Sequence, residues 1–365
     1  MKLLYITNGI NGAGGLERVL SIKASYLVEH YSYDVTILCL NNNDKDPFYS
    51  FSDRIKMLSI TVGGNPIKYI KQYKNGIERI VRELNPDVIS VCDDGLKGFF
   101  IPKIIGKNIP VIYERHVSKE IEMNESFSSL KKKLVQTKWK VMEQLASSFS
   151  KFVVLTKGNT LEWQSLTNML VIANPLSFYP EKSSTLQNKK VIAVGKQGFQ
   201  KGYDRLLAAW QIVNRSHPDW RLEIYGTIAP EYKLEELSKS LRISDSVCFY
   251  PPEKDIQSKY LEGSIYVMSS RFEGFGMVLI EAMACGVPCV SFDCNYGPAD
   301  IIQNEVDGYV VANGNIDSFA LRINDLIANK DQRIKMGQKA RLNVQRFSPE
   351  IIVKQWDMLF KQLVK

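Results

Sequence analysis

Long apolar runs are missing from this chain. No uninterrupted hydrophobic stretch in its 365 residues approaches the roughly 20 that a membrane-spanning helix needs, which excludes a helical integral membrane protein. The opening MKLLYITN carries one lysine and about five apolar residues before polar Asn8, the pattern of a first β-strand and not of a secretory leader, so a cytoplasmic location is expected. Cysteine and histidine are also sparse. The six cysteines (Cys39, Cys92, Cys248, Cys285, Cys289, Cys294) form no Cys-x2-Cys pair and only three histidines accompany them, so they read as reduced thiols and a structural zinc is disfavoured. Internal repeats, low-complexity tracts and coiled-coil heptads are lacking, which removes solenoid and fibrous architectures. The net charge is +8, yet there is no recognised nucleic-acid motif and no basic surface interleaved with aromatics, so nucleic acid is not an expected partner.

What is present is hydrophobic content of 45 % over a length too great for a single core, which predicts two domains. Apolar strand-like runs alternate with amphipathic helical segments throughout, the pattern of an α/β protein with parallel sheets. A polar stretch from Ser177 to Lys189, with Pro180, Ser183 and Ser184, marks the hinge. Charge is uneven: residues 1–178 hold 23 Lys+Arg against 17 Asp+Glu (+6), and residues 179–365 hold 24 against 22 (+2). The first half would face an anionic surface.

The chemistry concentrates in the stretch from Ser269 to Pro288. Ile265–Met268 reads as a buried strand, Gly274 and Gly276 leave the following turn bare, and Met277 to Cys285 is helix-forming before Gly286 and Pro288 stop it. A helix start with outward amides and the positive end of the macrodipole behind them suits a phosphate. Glu273 lies before the helix and Glu281 inside it, so the two acids can flank one long ligand with its phosphates between them. A carboxylate accepts paired hydrogen bonds from vicinal hydroxyls of a ribose or hexose.

Other loops after strands carry related signals. Gly195-Lys196-Gln197-Gly198-Phe199-Gln200-Lys201-Gly202 follows the strand Lys190 to Val194 and has the cations and glycines of a phosphate loop. Gly12, Gly14 and Gly15 follow the first strand, but the third position of Gly-x-Gly-x-x-Gly is Glu17, and the next strand ends in Asn41-Asn42-Asn43 where a ribose-binding acid is wanted. A nicotinamide or flavin site is therefore not expected. Glu114-Arg115-His116 follows the strand Val111 to Tyr113, where open α/β sheets bind ligands. Asp44-Lys45-Asp46 is formally Asp-x-Asp but sits in an Asn-rich turn before Pro47 and reads as a solvated loop, not a metal site.

Glu273-Gly274-Phe275-Gly276 with Glu281, spaced Glu-x7-Glu, resembles the signature of retaining glycosyltransferase family 4, and Gly14-Gly15-Leu16-Glu17-Arg18 resembles that family's Gly-Gly-x-Glu loop. The resemblance implies the GT-B fold: two Rossmann-like doubly wound domains facing a central cleft, here residues 1–177 on the acceptor side and 178–347 on the nucleotide-sugar side. It also implies that 348–365 forms a last helix crossing back to the first domain, anchored by Trp356 and Phe360. Implied catalytic residues are His116, Glu273 and Lys201. Implied donor contacts are Gly14, Gly15, Lys196, Lys201, Phe275, Gly276, Met277, Val278 and Glu281, with Lys196 standing where arginine is usual and so unable to offer its planar fork. The turn after Phe249 would hold the base.

The implied reaction is transfer of a hexose or N-acetylhexosamine, with retention, from a nucleoside diphosphate sugar, a UDP-sugar above all. The acceptor would be a saccharide or lipid-linked saccharide in polysaccharide or glycoconjugate biosynthesis, and no metal or other cofactor is expected. Two rivals remain: a sugar-nucleotide 2-epimerase, which shares the two-domain fold, and a non-catalytic sugar-nucleotide-binding scaffold. The segment from Ser129 to Ser148, with Lys131, Lys132, Lys133, Lys138 and Lys140 against Leu130, Leu134, Val135, Trp139, Met142 and Leu145, suits either a helix packed on the sheet with a solvated basic face or a helix lying on an anionic bilayer. The resemblance tilts the reading towards peripheral contact with the inner face of the cell membrane.

Overall fold

The computed structural model describes residues 1–42, 46–106, 108–122 and 128–364, so Asp44 and Lys45 of the Asp-x-Asp turn lie outside the described residues. The chain forms two compact units, Met1–Pro175 with Pro349–Lys365, and Leu176–Ser348.

The first unit runs β1 (Lys2–Thr7), α1 (Gly15–Tyr31), β2 (Asp34–Leu40), β3 (Lys56–Ile60), α2 (Pro66–Leu84), β4 (Val88–Cys92), a 3₁₀ turn at Leu96–Phe100 leading into α3 (Ile101–Ile105), β5 (Val111–Glu114), α4 (Ser129–Ala146), β6 (Lys151–Val154) and β7 (Met169–Val171). The strands form one parallel sheet in the order β3-β2-β1-β4-β5-β6-β7. Strand residues alternate between its faces, as a pleat requires. Leu4, Ile6, Ile89, Val91, Val111 and Tyr113 pack with α2, α3 and α4 through Tyr73, Ile77, Ile101 and Met142. The alternate residues Tyr5, Ser90 and Glu114 therefore face α1. Local chemistry sets the helix ends: Asn65 caps α2 by accepting from the Lys68 amide at 2.9 Å with Pro66 at the first position, and Asn85 closes it at φ 45°.

The second unit runs β8 (Lys190–Val194), α5 (Tyr203–Ser216), β9 (Arg221–Tyr225), α6 (Leu234–Ser240), β10 (Val247–Tyr250), α7 (Ile256–Glu262), β11 (Ile265–Met268), α8 (Met277–Ala284), β12 (Cys289–Asp293), α9 (Pro298–Ile301), β13 (Gly308–Ala312), α10 (Ile316–Ala328) and α11 (Lys330–Asn343). Its parallel sheet has the order β10-β9-β8-β11-β12-β13. One face is covered by α5 and α10 through Leu206, Trp210, Phe319 and Ile323. The last helix, α12 (Pro349–Val364), belongs to the first unit and packs on α1, burying Ile352, Val353, Trp356 and Phe360.

In each sheet the strand order reverses direction once, between β1 and β4 in the first unit and between β8 and β11 in the second. Helices leave to opposite faces on either side of such a switch point, which opens a crevice at the carboxyl ends of the two strands.

Along α4 the apolar stripe is buried only towards its end, at Met142 and Leu145, whereas Leu130 and Leu134 are 71 % and 62 % exposed. Leu96 to Ile105 is divided between the 3₁₀ turn and the short α3, with Pro102 permitted in the first turn of α3. The inner side of α1 holds Lys23, 1 % exposed, while Ile22 is only half-buried.

Candidate active site

In the second unit, the loops after β8 and β11 meet at the switch point. Lys201 Nζ donates to Glu273 Oε1 at 2.7 Å, and the Ser270 hydroxyl donates to the same oxygen at 2.6 Å. The Gln200 amide points at Phe272 O (3.2 Å) and Glu273 Oε2 (3.5 Å). The two loops are tied together by Arg271, whose guanidinium binds Asp204 twice (2.9 and 2.6 Å) and lies over the Phe199 ring, and by the Ser269 hydroxyl on Lys201 O. Burial would raise the Asp204 carboxyl, but Arg271 outweighs it and holds that group below its usual value.

Gly276 begins α8 at φ 106° with no side-chain cap, so the first-turn amides, those of Met277 and Val278 among them, have no intrahelical acceptor. Gly297 approaches the same turn so closely that a Cβ there would lie 2.0 Å from Phe275 O. Phe275 is buried, edge-on to Phe347 at 5.5 Å, so only its backbone is offered to the turn. Lys196 is exposed on its loop. Glu281 is 1 % exposed and accepts from Ser177 Oγ at 2.8 Å and from the Tyr260 hydroxyl at 3.2 Å. Beyond Phe249, the Tyr250 ring stacks on Tyr225 at 4.8 Å and is 37 % exposed.

In the first unit, the switch point is flanked by Asn8 after β1 and by Asp93 after β4. Asn8 Nδ2 donates to Asp93 Oδ1 at 3.0 Å, and Lys97 Nζ lies 3.0 Å from Asp93 Oδ2. Gly14 and Gly15 are exposed at the start of α1, where the Glu17 carboxylate folds back so far that a Cβ on Gly14 would come within 2.5 Å of it. His116 follows β5 with its side chain 5 % exposed and Nε2 3.2 Å from Glu114 Oε2. Glu114 also pairs with the buried Lys23 ammonium and accepts from Ser90 Oγ at 2.5 Å. Burial pushes this carboxyl up, but Lys23 and then His116 overcome it and hold Glu114 at about 2. Among the described residues, Cys92, Glu114 and His116 each bring one ligand atom within 4.8 Å of the others. Lys23 already neutralises Glu114 and burial pushes the Cys92 thiol up, so this donor set suits an ion pair better than a metal ion.

Thus Lys201 and Glu273 come together with the bare start of α8, and His116 joins Glu114. Ser270, Gln200, Arg271 with Asp204, Ser177, Tyr260, Lys23 and Ser90 were not foreseen. Lys23 had a signal: it is four residues after Val19 and four before Leu27, on the inner stripe of its helix.

Two parallel sheets, each with polar turns at its switch point, are the GT-B architecture, and comparison with known proteins supplies the class of activity, glycosyl transfer. Residues 178–343 match the family model for glycosyl transferases group 1, and residues 18–148 match that for glycosyl transferase 4-like proteins. The chain belongs to the glycosyltransferases of this family. An uncharacterized glycosyltransferase of Haemophilus influenzae is 31 % identical over 362 residues, covering 97 % of this chain and 98 % of the relative. The amylovoran biosynthesis glycosyltransferase AmsD of Erwinia amylovora is 31 % identical over 369 residues, covering 98 % of each. In structure, the Anabaena protein HepE, solved in complex with UDP-glucose, superposes with a TM-score of 0.78 at 19 % identity over the full length of both chains.

Proposed function

We propose that this glycosyltransferase moves a hexosyl or N-acetylhexosaminyl unit, with retention of anomeric configuration, from a UDP-sugar to a hydroxyl of a saccharide or lipid-linked saccharide in surface polysaccharide assembly. The observation that carries the reading is the Lys201–Glu273 pair at the switch point, beside the uncapped start of α8. A sugar diphosphate laid there meets a cation and helix amides at its phosphates and a carboxylate at its sugar hydroxyls. Lys201 then exchanges part of its contact with Glu273 for the phosphate, and Glu273 is released to orient the hexose. The names of the relatives, a polysaccharide-building enzyme and a protein that binds UDP-glucose, support the choice of donor and pathway class.

The costly step is cleavage of the bond between the anomeric carbon and the diphosphate oxygen. Lys201, Lys196 and the amides at Gly276 to Val278 would stabilise the charge gathering on that oxygen, a preorganised effect often worth several kcal/mol. No side chain in this cluster is placed as a covalent nucleophile in the way paired carboxylates are in retaining hydrolases. The acceptor oxygen attacks from the leaving-group side, and its proton passes to the departing phosphate oxygen. Glu281 would receive the ribose hydroxyls in place of Ser177 and Tyr260, and His116 would meet the hexose. Peripheral contact with an anionic membrane is supported by Leu130 and Leu134, exposed on α4 beside exposed Lys133. Lys201→Ala and Glu273→Ala should each lower kcat by about 10² or more in a folded protein. The assay is sugar transfer from a panel of UDP-sugars with the product anomer read by NMR; full activity in either variant, or an inverted product, overturns the mechanism.

A further inference from the structure

A buried lysine and an imidazole meet the same carboxylate oxygen on the α1 face of the first sheet. Lys23 Nζ contacts Glu114 and lies 4.0 Å from the centre of the Trp356 ring and 5.0 Å from that of Tyr5. Glu114 Oε1 accepts from Ser90, and Oε2 is 3.2 Å from His116 Nε2. Lys23, Ser90, Glu114 and Trp356 are each 2 % exposed or less. Beyond the carboxylate, His116 Nδ1 is buried with no hydrogen-bond partner among the described residues. The backbone helps to hold this geometry, since the Arg115 amide donates to Val153 O at 2.9 Å and so carries the strand pairing up to His116.

An ionised carboxylate only accepts hydrogen bonds, so a ring nitrogen in contact with it must carry the hydrogen. We propose that Glu114 is a positioning residue for His116: fixed by Lys23 and Ser90, it holds the imidazole as the Nε2–H tautomer and leaves Nδ1 as an acceptor for a donor-sugar hydroxyl. This rests on the reading that His116 meets the hexose. It adds that the ring accepts a hydrogen bond there, and that the choice is made by a lysine on α1 whose outer side is covered by Trp356 of α12. Removing a carboxylate that fixes a tautomer leaves a ring free to present the wrong nitrogen, with little effect on ground-state donor binding.

The test uses the full chain with His30→Gln and His217→Gln, so that of the three histidines only His116 remains. Long-range ¹⁵N–¹H correlation should show the Nε2–H tautomer; an Nδ1–H ring overturns the proposal whatever the variants do. Lys23→Met with Glu114→Leu removes both buried charges together, which such sites often tolerate. It should give mixed tautomers and a kcat lower by at least about tenfold with donor KM little changed, a smaller loss than the ~10⁴ seen when a triad loses its orienting carboxylate. Lys23→Met with Glu114→Gln, whose amide oxygen still accepts from Nε2–H, should recover most of the rate. A folded Lys23→Met, Glu114→Leu protein with unchanged kcat overturns the positioning role. His116→Ala separates the two levels: full activity there sinks the role of His116 itself, whereas an inactive His116→Ala beside a fully active Lys23→Met, Glu114→Leu variant sinks the inference alone.

Discussion

A single methyl group decides whether the turn before α8 can exist. At Gly297, φ is 129° and an added Cβ would lie 2.0 Å from the Phe275 carbonyl oxygen, so any side chain meets both backbone strain and a steric clash. Gly297→Ala should lose at least about 1–3 kcal/mol and shift the Glu273 turn, lowering both the thermal midpoint and turnover; calorimetry with a transfer assay checks this, and a variant of parental stability would contradict it. The glycines and acids of this turn were legible in the sequence because their spacing directly encodes a bare helix start. Their partners were not. Ser177 lies 104 residues from Glu281, and Lys23 lies 91 from Glu114, so only the folded topology brings them together. Lys23 was hidden for a second reason: a periodicity count scores lysine as polar, whereas here its charge is neutralised by a buried carboxylate.

At the level of elements, most strands and helices could be read from apolar runs and 3.6-residue periodicity, and the failures have local causes. β3 was not anticipated because Lys56-Met57-Leu58-Ser59-Ile60 is a five-residue edge strand, buried fully only at Ile60, so it lacks a strong apolar run. α4 was read as a helix with its packing left open between sheet and bilayer, because a stripe of apolar residues cannot reveal how far along the helix its partner extends. Its first two turns leave Leu130 and Leu134 outside, next to Lys133, and the helix should bind vesicles of phosphatidylglycerol at low ionic strength and release them at high salt. Lys133→Glu with Leu134→Gln should weaken co-sedimentation at least about fivefold while transfer to a soluble acceptor persists; equal binding by parent and variant would assign the basic face to solvent.

For the molecule as a whole, each unit has its own core and its own reversal of strand order, and the Lys201–Glu273 pair lies at the reversal in the second unit. Among the described residues, no helix is long and apolar enough to cross a membrane. If the loops at β8 and β11 receive a sugar nucleotide, that ligand stabilises the folded chain by mass action, about 2.7 kcal/mol at a hundred times Kd. Thermal-shift titration with UDP-, GDP- and ADP-sugars should therefore raise the midpoint most for one UDP-sugar, and Lys201→Ala should abolish most of the rise. A larger rise with a GDP- or ADP-sugar would reassign the base. The turn after Phe249, where the resemblance expects the base, carries no motif that names one; in the structure Tyr250 stacks there on Tyr225 of the neighbouring strand.

The assignment of α12 to the first unit has a consequence for biosynthesis. A ribosome that has finished residue 175 has made the whole first sheet but not the helix that shields its Lys23–Glu114 pair, and 173 further residues, Leu176–Ser348, must be translated before Pro349 appears. During that interval Trp356 does not yet exist, and the lysine end of the pair stands open to water. The nascent protein thus completes its earliest-made half last, and an interrupted message yields a first sheet without the helix that covers Lys23.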